Sequence, residues 1–182
     1  MRLIARLGSL SLAVAALTII TAVQMTLVTI DNLIDYDTNY AFVQHVLAMD
    51  TTFRAPSMMW RAITAPGLIT TAYLVIIAWE AVTSALLLAG SVAWMLRRPL
   101  ARRLSAAGWV LQLTLFAGGF LALGGEWFQM WQSSKWNGLD SATRYLLLAA
   151  VGLILVHLLP ARENGRLDRS GGSRERAVER SR

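Results

Sequence analysis

The chain has 182 residues, 55% of them hydrophobic, with a mean hydropathy of +0.49 and a formal net charge of +6. It contains no cysteine, which excludes disulfides, thiolate zinc sites, iron–sulfur clusters and thiol nucleophiles. The apolar residues are gathered in blocks too long for a soluble core, and this distribution indicates an integral membrane protein.

Four apolar blocks follow one another along the chain. About 20 helical residues cross ~30 Å of hydrocarbon, where only closed backbone hydrogen bonding is tolerated. We therefore predict an all-α integral membrane fold with four transmembrane helices in a domain of residues 1–160. The first block follows Arg2 and Arg6, as in a signal peptide, but its length favours a retained helix. The expected spans are residues 7–30, 68–95, 104–123 and 142–159.

Arginine is concentrated in the segments that four spans place on one side of the membrane. These are the N-terminus, the motif RRPLARR between the second and third blocks, and residues 161–182. Because short basic segments stay in the cytoplasm, we predict a bacterial inner-membrane protein with both termini cytoplasmic. Residues 161–182 are polar and predict a disordered basic tail. The positive charge is thus a topology signal and does not indicate nucleic-acid binding.

Residues 31–66 and 124–141 are expected to form an outer, periplasmic cap. Apolar residues recur at helical spacing between positions 42 and 49, and Asp37 or Thr38 can cap the start of a helix. We therefore predict a short amphipathic helix that lies over the outer ends of the spans.

The acidic start of the cap also permits a metal interpretation. Asp35, Asp37 and Asn39 match the first three ligand positions of a calcium loop, but Tyr40 and Val46 replace the glycine and glutamate that such a loop needs. No metal or cofactor is therefore predicted. A looser ligand or metal site at the outer surface, around Asp35, His45 and Glu126, stays open as an alternative.

The second cap segment, GGEWFQMWQSSKWNG, is rich in tryptophan. Tryptophan is enriched at the membrane–water boundary and is also a common anchor of protein interfaces. A belt and a docking surface are both consistent with this pattern. The candidate interaction residues of the cap are Asp35, Asp37, Asn39, His45, Asp50, Glu126, Trp127, Trp131 and Trp136.

Glu80 lies deep in the second block, where an unpaired carboxylate is costly and a functional role is the default hypothesis. Tyr73 and Ser84 fall on its helix face, and Gln112 of the third block comes at a similar depth. A neutral Glu80 could donate a hydrogen bond to Gln112. Such a pair would serve either a proton or ion relay or the fixing of helix register.

The second block also carries a stripe of small residues spaced four apart. Small side chains at this spacing allow close helix packing in lipid, with a helix of this chain or of a partner. The stripe consists of Ala81, Ala85, Ala89 and Ala93.

No phosphate-binding loop and no zinc-protease or serine-hydrolase motif is present in the sequence. The segments NLIDYDTNYAFVQHVLAMDTTF, WRAI, YLVIIAWE and GGEWFQMWQSSKWNG resemble, in this order, a bacterial family of predicted small integral membrane proteins. This resemblance implies four spans and implies no activity. It also singles out Glu80 and the cap residues Asp35, His45 and Trp131, among others, without giving them a role.

We therefore expect a non-catalytic protein that contacts the lipid bilayer and another integral membrane protein or complex. It would be an accessory or assembly subunit that docks through the outer cap and the alanine stripe. The alternatives are a small proton- or cation-coupled carrier or channel that uses Glu80, and a ligand-binding protein or enzyme with its site at the outer surface.

Overall fold

The computed structural model describes residues 9–160, which fold into helices without a strand. Helix α1 is Leu10–Ile34, α2 is Tyr36–Ala48, α3 is Pro66–Met95, α4 is Ala101–Leu113 and α5 is Leu139–Leu158. A π-helical segment, Thr114–Trp127, continues α4. The predicted all-α fold with four candidate membrane-spanning helices is confirmed. Arg2, Arg6 and the predicted basic tail lie outside the described residues.

The four spans are α1, α3, α4 with its π segment, and α5. They form one bundle in which α3 packs against both α1 and α4, and α4 packs against α5. Since successive spans run in opposite directions, residues 31–66 and 128–138 lie at one end of the bundle, which we call the cap end. The connection at residues 96–100 lies at the opposite end, together with the start of α1 and the end of α5.

The first span extends four residues beyond the expected position and ends at Ile34. The chain turns at Asp35 and continues directly into α2. Asn39 bridges this turn, because its side-chain amide donates to the carbonyl oxygens of Asp35 (3.1 Å) and Asp31 (3.4 Å). Asp35 occupies the N-cap position without a side-chain capping bond. The expected caps Asp37 and Thr38 therefore lie inside the first turn of α2.

Helix α2 ends at Ala48, and the next residue, Met49, has a left-handed backbone (φ 53°) of the kind that commonly stops helices. The chain then returns along the cap, where Ile63 N donates to Leu47 O at 2.8 Å. Pro66 is the first residue of α3, a position where its missing N–H and fixed φ favour helix entry.

Glycines allow the spans to approach closely. A Cβ atom added at Gly108 would lie 2.6 Å from the Leu87 side chain of α3, and one at Gly152 would overlap the Trp109 ring. Trp109 is completely buried in the centre of the bundle. Small residues at these crossings let the helices pack closely, so that dispersion forces hold them together in lipid, where no hydrophobic driving force acts between helices.

Candidate functional site

Two parts of the bundle hold the residues that the sequence singles out. One is a set of buried polar contacts between α1 and α3, centred on Glu80. The other is the cap, where residues 49–66 meet residues 127–138.

Glu80 is 2% exposed, and its Oε2 accepts a hydrogen bond of 2.6 Å from the side-chain amide of Asn32 on α1. Tyr73 lies on the same face of α3 as Glu80, seven residues nearer the cap end. Its hydroxyl donates to the backbone oxygen of Asn32 at 2.8 Å. The ring of Tyr36 lies edge-on against Tyr73, with 4.9 Å between centroids. Among residues 9–160 no Lys or Arg forms an ion pair with Glu80. The carboxyl group is therefore held by a neutral donor.

The expected pairing of Glu80 with Gln112 is wrong. Gln112 is completely buried, and its amide nitrogen donates to the backbone oxygen of Tyr145 on α5 at 3.0 Å. Its Oε1 has no hydrogen-bond partner within the described part of the chain. Gln112 thus ties α4 to α5, whereas Glu80 ties α3 to α1.

Further polar contacts continue from Glu80 toward the opposite end of the bundle. Ser84 and Thr26 approach to 2.6 Å between their hydroxyl oxygens, and the hydroxyl oxygens of Thr18 and Ser105 lie 3.3 Å apart. The hydroxyls of Thr26 and Thr18 also donate to the carbonyl oxygens four residues earlier. Along α1, residues 18 to 32 cover about 21 Å at ~1.5 Å per residue. Polar contacts therefore link α1 to its neighbours over much of the bundle.

The alanine stripe is divided by the fold. Ala81, Ala85 and Ala89 are exposed on the outer face of α3, whereas Ala93 is buried against the bundle. The three exposed alanines have no helix of residues 9–160 packed on them. This face of α3 consequently presents small side chains to the membrane.

In the cap, His45 connects the two segments. Its Nδ1 lies 2.8 Å from Asp50 Oδ2, and its ring stacks on Trp136 with 4.6 Å between centroids. Lys135 lies over the same indole at 4.8 Å. Nearby, Thr51 donates to Ser133 (2.9 Å), and Phe53 N donates to Gln132 (2.8 Å). These contacts hold residues 49–53 against residues 132–136.

A second cap contact forms around Arg61, which the sequence reasoning did not single out. Its guanidinium lies over the rings of Trp127 (4.5 Å) and Trp60 (5.5 Å), and its Nη1 donates to Trp127 O at 3.3 Å. The two indoles meet edge-on at 5.6 Å. Trp131 makes a similar edge contact with Phe53. The side chains of these four aromatic residues are 41–73% exposed.

The acidic residues of the cap do not converge. Asp35, Asp37 and Glu126 are exposed, and His45 bonds with Asp50 instead of with either Asp35 or Glu126. Within residues 9–160 no three histidine or acidic side chains form a group suited to a metal ion.

The sequence reasoning missed Asn32 and Arg61, and it also missed Phe53 and Trp60 of the cap. Asn32 lies two residues after the first apolar block, inside the segment that the sequence predicts as cap. Its place on an extended α1 is what brings it to Glu80. Arg61 stands next to Trp60 in the motif WRAI, and this pair of an arginine and an exposed indole is the signal that could have pointed to it.

The four long apolar helices bury polar contacts inside the bundle and expose apolar side chains outside it. This arrangement defines an integral membrane protein, in contact with the lipid bilayer. The chain belongs to the family described as "Predicted small integral membrane protein (DUF2165)", whose family model matches residues 10–159. The resemblance found in the sequence is thereby confirmed. No curated protein and no solved structure matches the chain.

Proposed function

We propose that the chain is a non-catalytic accessory or assembly subunit of the bacterial inner membrane, with its cap on the periplasmic side. It docks another integral membrane protein through the cap and through the exposed face of α3. The observation that carries this proposal is the aromatic surface of the cap, formed by Phe53, Trp60, Trp127 and Trp131, with Arg61 between two of the indoles.

This surface has the composition of an interface anchor. Aromatic and arginine side chains dominate the binding energy of many protein interfaces, since they bury large areas with little loss of conformational freedom. Here the rings are held in pairs by edge contacts, and Phe53 and Trp60 are still 73% and 70% exposed. An ordered, exposed aromatic surface supports docking of a partner.

The face of α3 supplies a second contact, within the membrane. Ala81, Ala85 and Ala89 would let the backbone of a partner helix approach closely, which is how dispersion forces drive helix association in lipid. A partner that crosses the membrane and also has a periplasmic part can use both surfaces.

The test is affinity purification of the full chain in mild detergent, after crosslinking in cells, with mass spectrometry of the proteins retained. The variants Trp60→Ala and Ala85→Leu are expected to lose a membrane protein that the unchanged chain retains. Ala16→Leu is the matched control, because Ala16 is also exposed on a span but belongs to α1. Retention of the same proteins by all variants, with no change in any membrane protein after deletion of the chain, would contradict the proposal.

A second candidate function is a small proton- or cation-coupled carrier that uses Glu80. The run of buried polar contacts from Asn32 to Ser105 favours it, since a conducting path needs polar groups at several depths. Against it, the hydroxyls of Thr18, Thr26 and Ser105 donate to carbonyls of their own helices, as in packing contacts. Flux measured in proteoliposomes separates the two functions, because Glu80→Gln abolishes a relay and leaves a docking subunit unaffected.

A further inference from the structure

A partly open cavity of about 660 Å³ lies below α2, between α3 and the π segment of α4. Its walls are Phe42 and Val46 from α2, Ala72 and Trp79 from α3, and Gly118 and Leu123 from the π segment. Nearly all of its surface is apolar. We call this cavity the groove.

The groove exists because two elements leave space at the same level. α1 ends near the level of Glu80, so on the α1 side the part of α3 from Pro66 to Trp79 is covered by α2 instead of by α1. Opposite it, Gly118 and Gly119 have no side chains. A Cβ atom added at Gly118 would meet nothing within 4 Å, and one at Gly119 would only touch Leu115 at 3.6 Å.

The depth of the groove indicates the chemistry of its occupant. The groove runs along residues 72–79 of α3, about 10 Å of helix at ~1.5 Å per residue, and α3 is long and apolar enough to cross a membrane. An apolar cavity at this depth in an integral membrane protein borders the hydrocarbon of the bilayer. A hydrocarbon chain of the surrounding lipid matches both its lining and its surroundings.

The guanidinium group of Arg61 lies at the cap end of the groove. Arg61 donates to Trp127 O, the carbonyl that precedes the groove residue Phe128. Two residues later, Ile63 binds the carbonyl oxygen of Leu47, which also lines the groove. Within the described residues Arg61 has no acidic partner, and its buried Nε has no acceptor. The guanidinium therefore has donors left for an anion at headgroup level.

We propose that the groove binds one acyl chain of an anionic phospholipid of the bilayer, with the lipid phosphate at Arg61. Guanidinium groups bind phosphate through charge-assisted hydrogen bonds, and the terminal Nη2 of Arg61, which donates to no described residue, is the donor for it. The Gly118–Gly119 pair keeps the space for the chain. The lipid site shares Arg61 with the docking surface of the cap, whereas the groove itself is separate from both docking surfaces.

The test is native mass spectrometry of the full-length protein, purified in mild detergent and then titrated with phosphatidylglycerol or phosphatidylcholine of the same acyl chains. The unchanged protein is expected to retain one phospholipid per chain and to prefer the anionic lipid. Gly118→Leu fills the groove and is expected to abolish retention. Arg61→Gln is expected to keep the site but to lower the preference for the anionic lipid roughly tenfold.

Matched controls come from the same chain. Gly67→Leu places the same side chain at another uncrowded helical glycine, outside the groove, and Arg54→Gln removes another cap arginine. Both are expected to bind lipid as the unchanged protein does. If Gly118→Leu does not fold, Ala72→Phe fills the groove from the α3 wall. Retention of lipid by a folded, filled variant, an unchanged preference in Arg61→Gln, or an isoprenoid or a second protein chain as occupant would each overturn the proposal.

Discussion

At the scale of single residues, the burial of Glu80 is the feature that most needs an explanation. A carboxyl group that is 2% exposed inside a membrane bundle is stable only with a donor, and the amide of Asn32 supplies it at 2.6 Å. Asn32 in turn is fixed from its backbone side by Tyr73. The pair therefore orders α1 against α3 at the level where α1 ends.

The replacement Asn32→Ala is expected to destabilise the bundle by about 1–3 kcal/mol, because it leaves the Glu80 carboxyl buried without its donor. Unfolding in mixed detergent micelles, followed by tryptophan fluorescence, measures the change. The double variant Asn32→Leu with Glu80→Met removes both polar partners and is expected to recover most of the loss. An Asn32→Ala protein as stable as the unchanged chain would show that the hydrogen bond contributes nothing.

The sequence singled out Glu80 as a carboxylate deep in a span, but it did not predict the hydrogen-bond partner of that carboxylate. Depth in the span was the only available guide, and it pointed to Gln112, whose amide reaches Tyr145 O instead. Which residue meets Glu80 depends on the rotation of each helix and on where α1 ends. Both are set by the packing of the whole bundle, including the glycine crossings, and are not encoded in the local pattern.

At the scale of elements, the spans and the connections differ in how far the sequence specifies them. Each apolar block became a helix because backbone groups in lipid must be paired within the segment. The π-helical form of Thr114–Trp127 was not predicted, since hydropathy reports only that the segment is apolar. Likewise, the tryptophan pattern predicted an aromatic cap but not the pairing of its two segments.

The cap is expected to open when Trp136 is replaced by alanine. This indole stacks on His45, contacts Phe42 edge-on at 6.1 Å and lies under Lys135. An aromatic pair contributes about 0.5–1.5 kcal/mol, so backbone hydrogen exchange in residues 132–138 should become up to roughly tenfold faster.

Hydrogen exchange with mass spectrometry of the detergent-solubilised protein measures this effect. Trp60→Ala is the control, because that indole is 70% exposed and contacts residues outside the 132–138 segment. Equal exchange in the Trp136→Ala protein and the unchanged protein would show that backbone contacts such as Phe53 N to Gln132 hold the cap without the indole.

At the scale of the whole molecule, four spans place the arginine-rich connection of residues 96–103 at one end and the cap at the other. Arg102 has a structural role at its end, since it donates to the carbonyl oxygens of Val156 and Pro160 at 3.0 Å and so caps the last turn of α5. Arg97, Arg98 and Arg103 form no ion pair within the described residues. Their charge is available to fix the orientation of the bundle during insertion.

This orientation can be tested directly because the chain has no cysteine of its own. Ser57→Cys places a thiol in the exposed cap, and Leu100→Cys places one in the exposed connection before α4. In intact spheroplasts a membrane-impermeant maleimide is expected to label Ser57→Cys, while Leu100→Cys reacts only after the membrane is opened. The cost of moving several arginines across the bilayer is the physical reason for this direction. Labelling of Leu100→Cys in intact spheroplasts would place the arginine-rich end outside, and the periplasmic docking surface would then have to be abandoned.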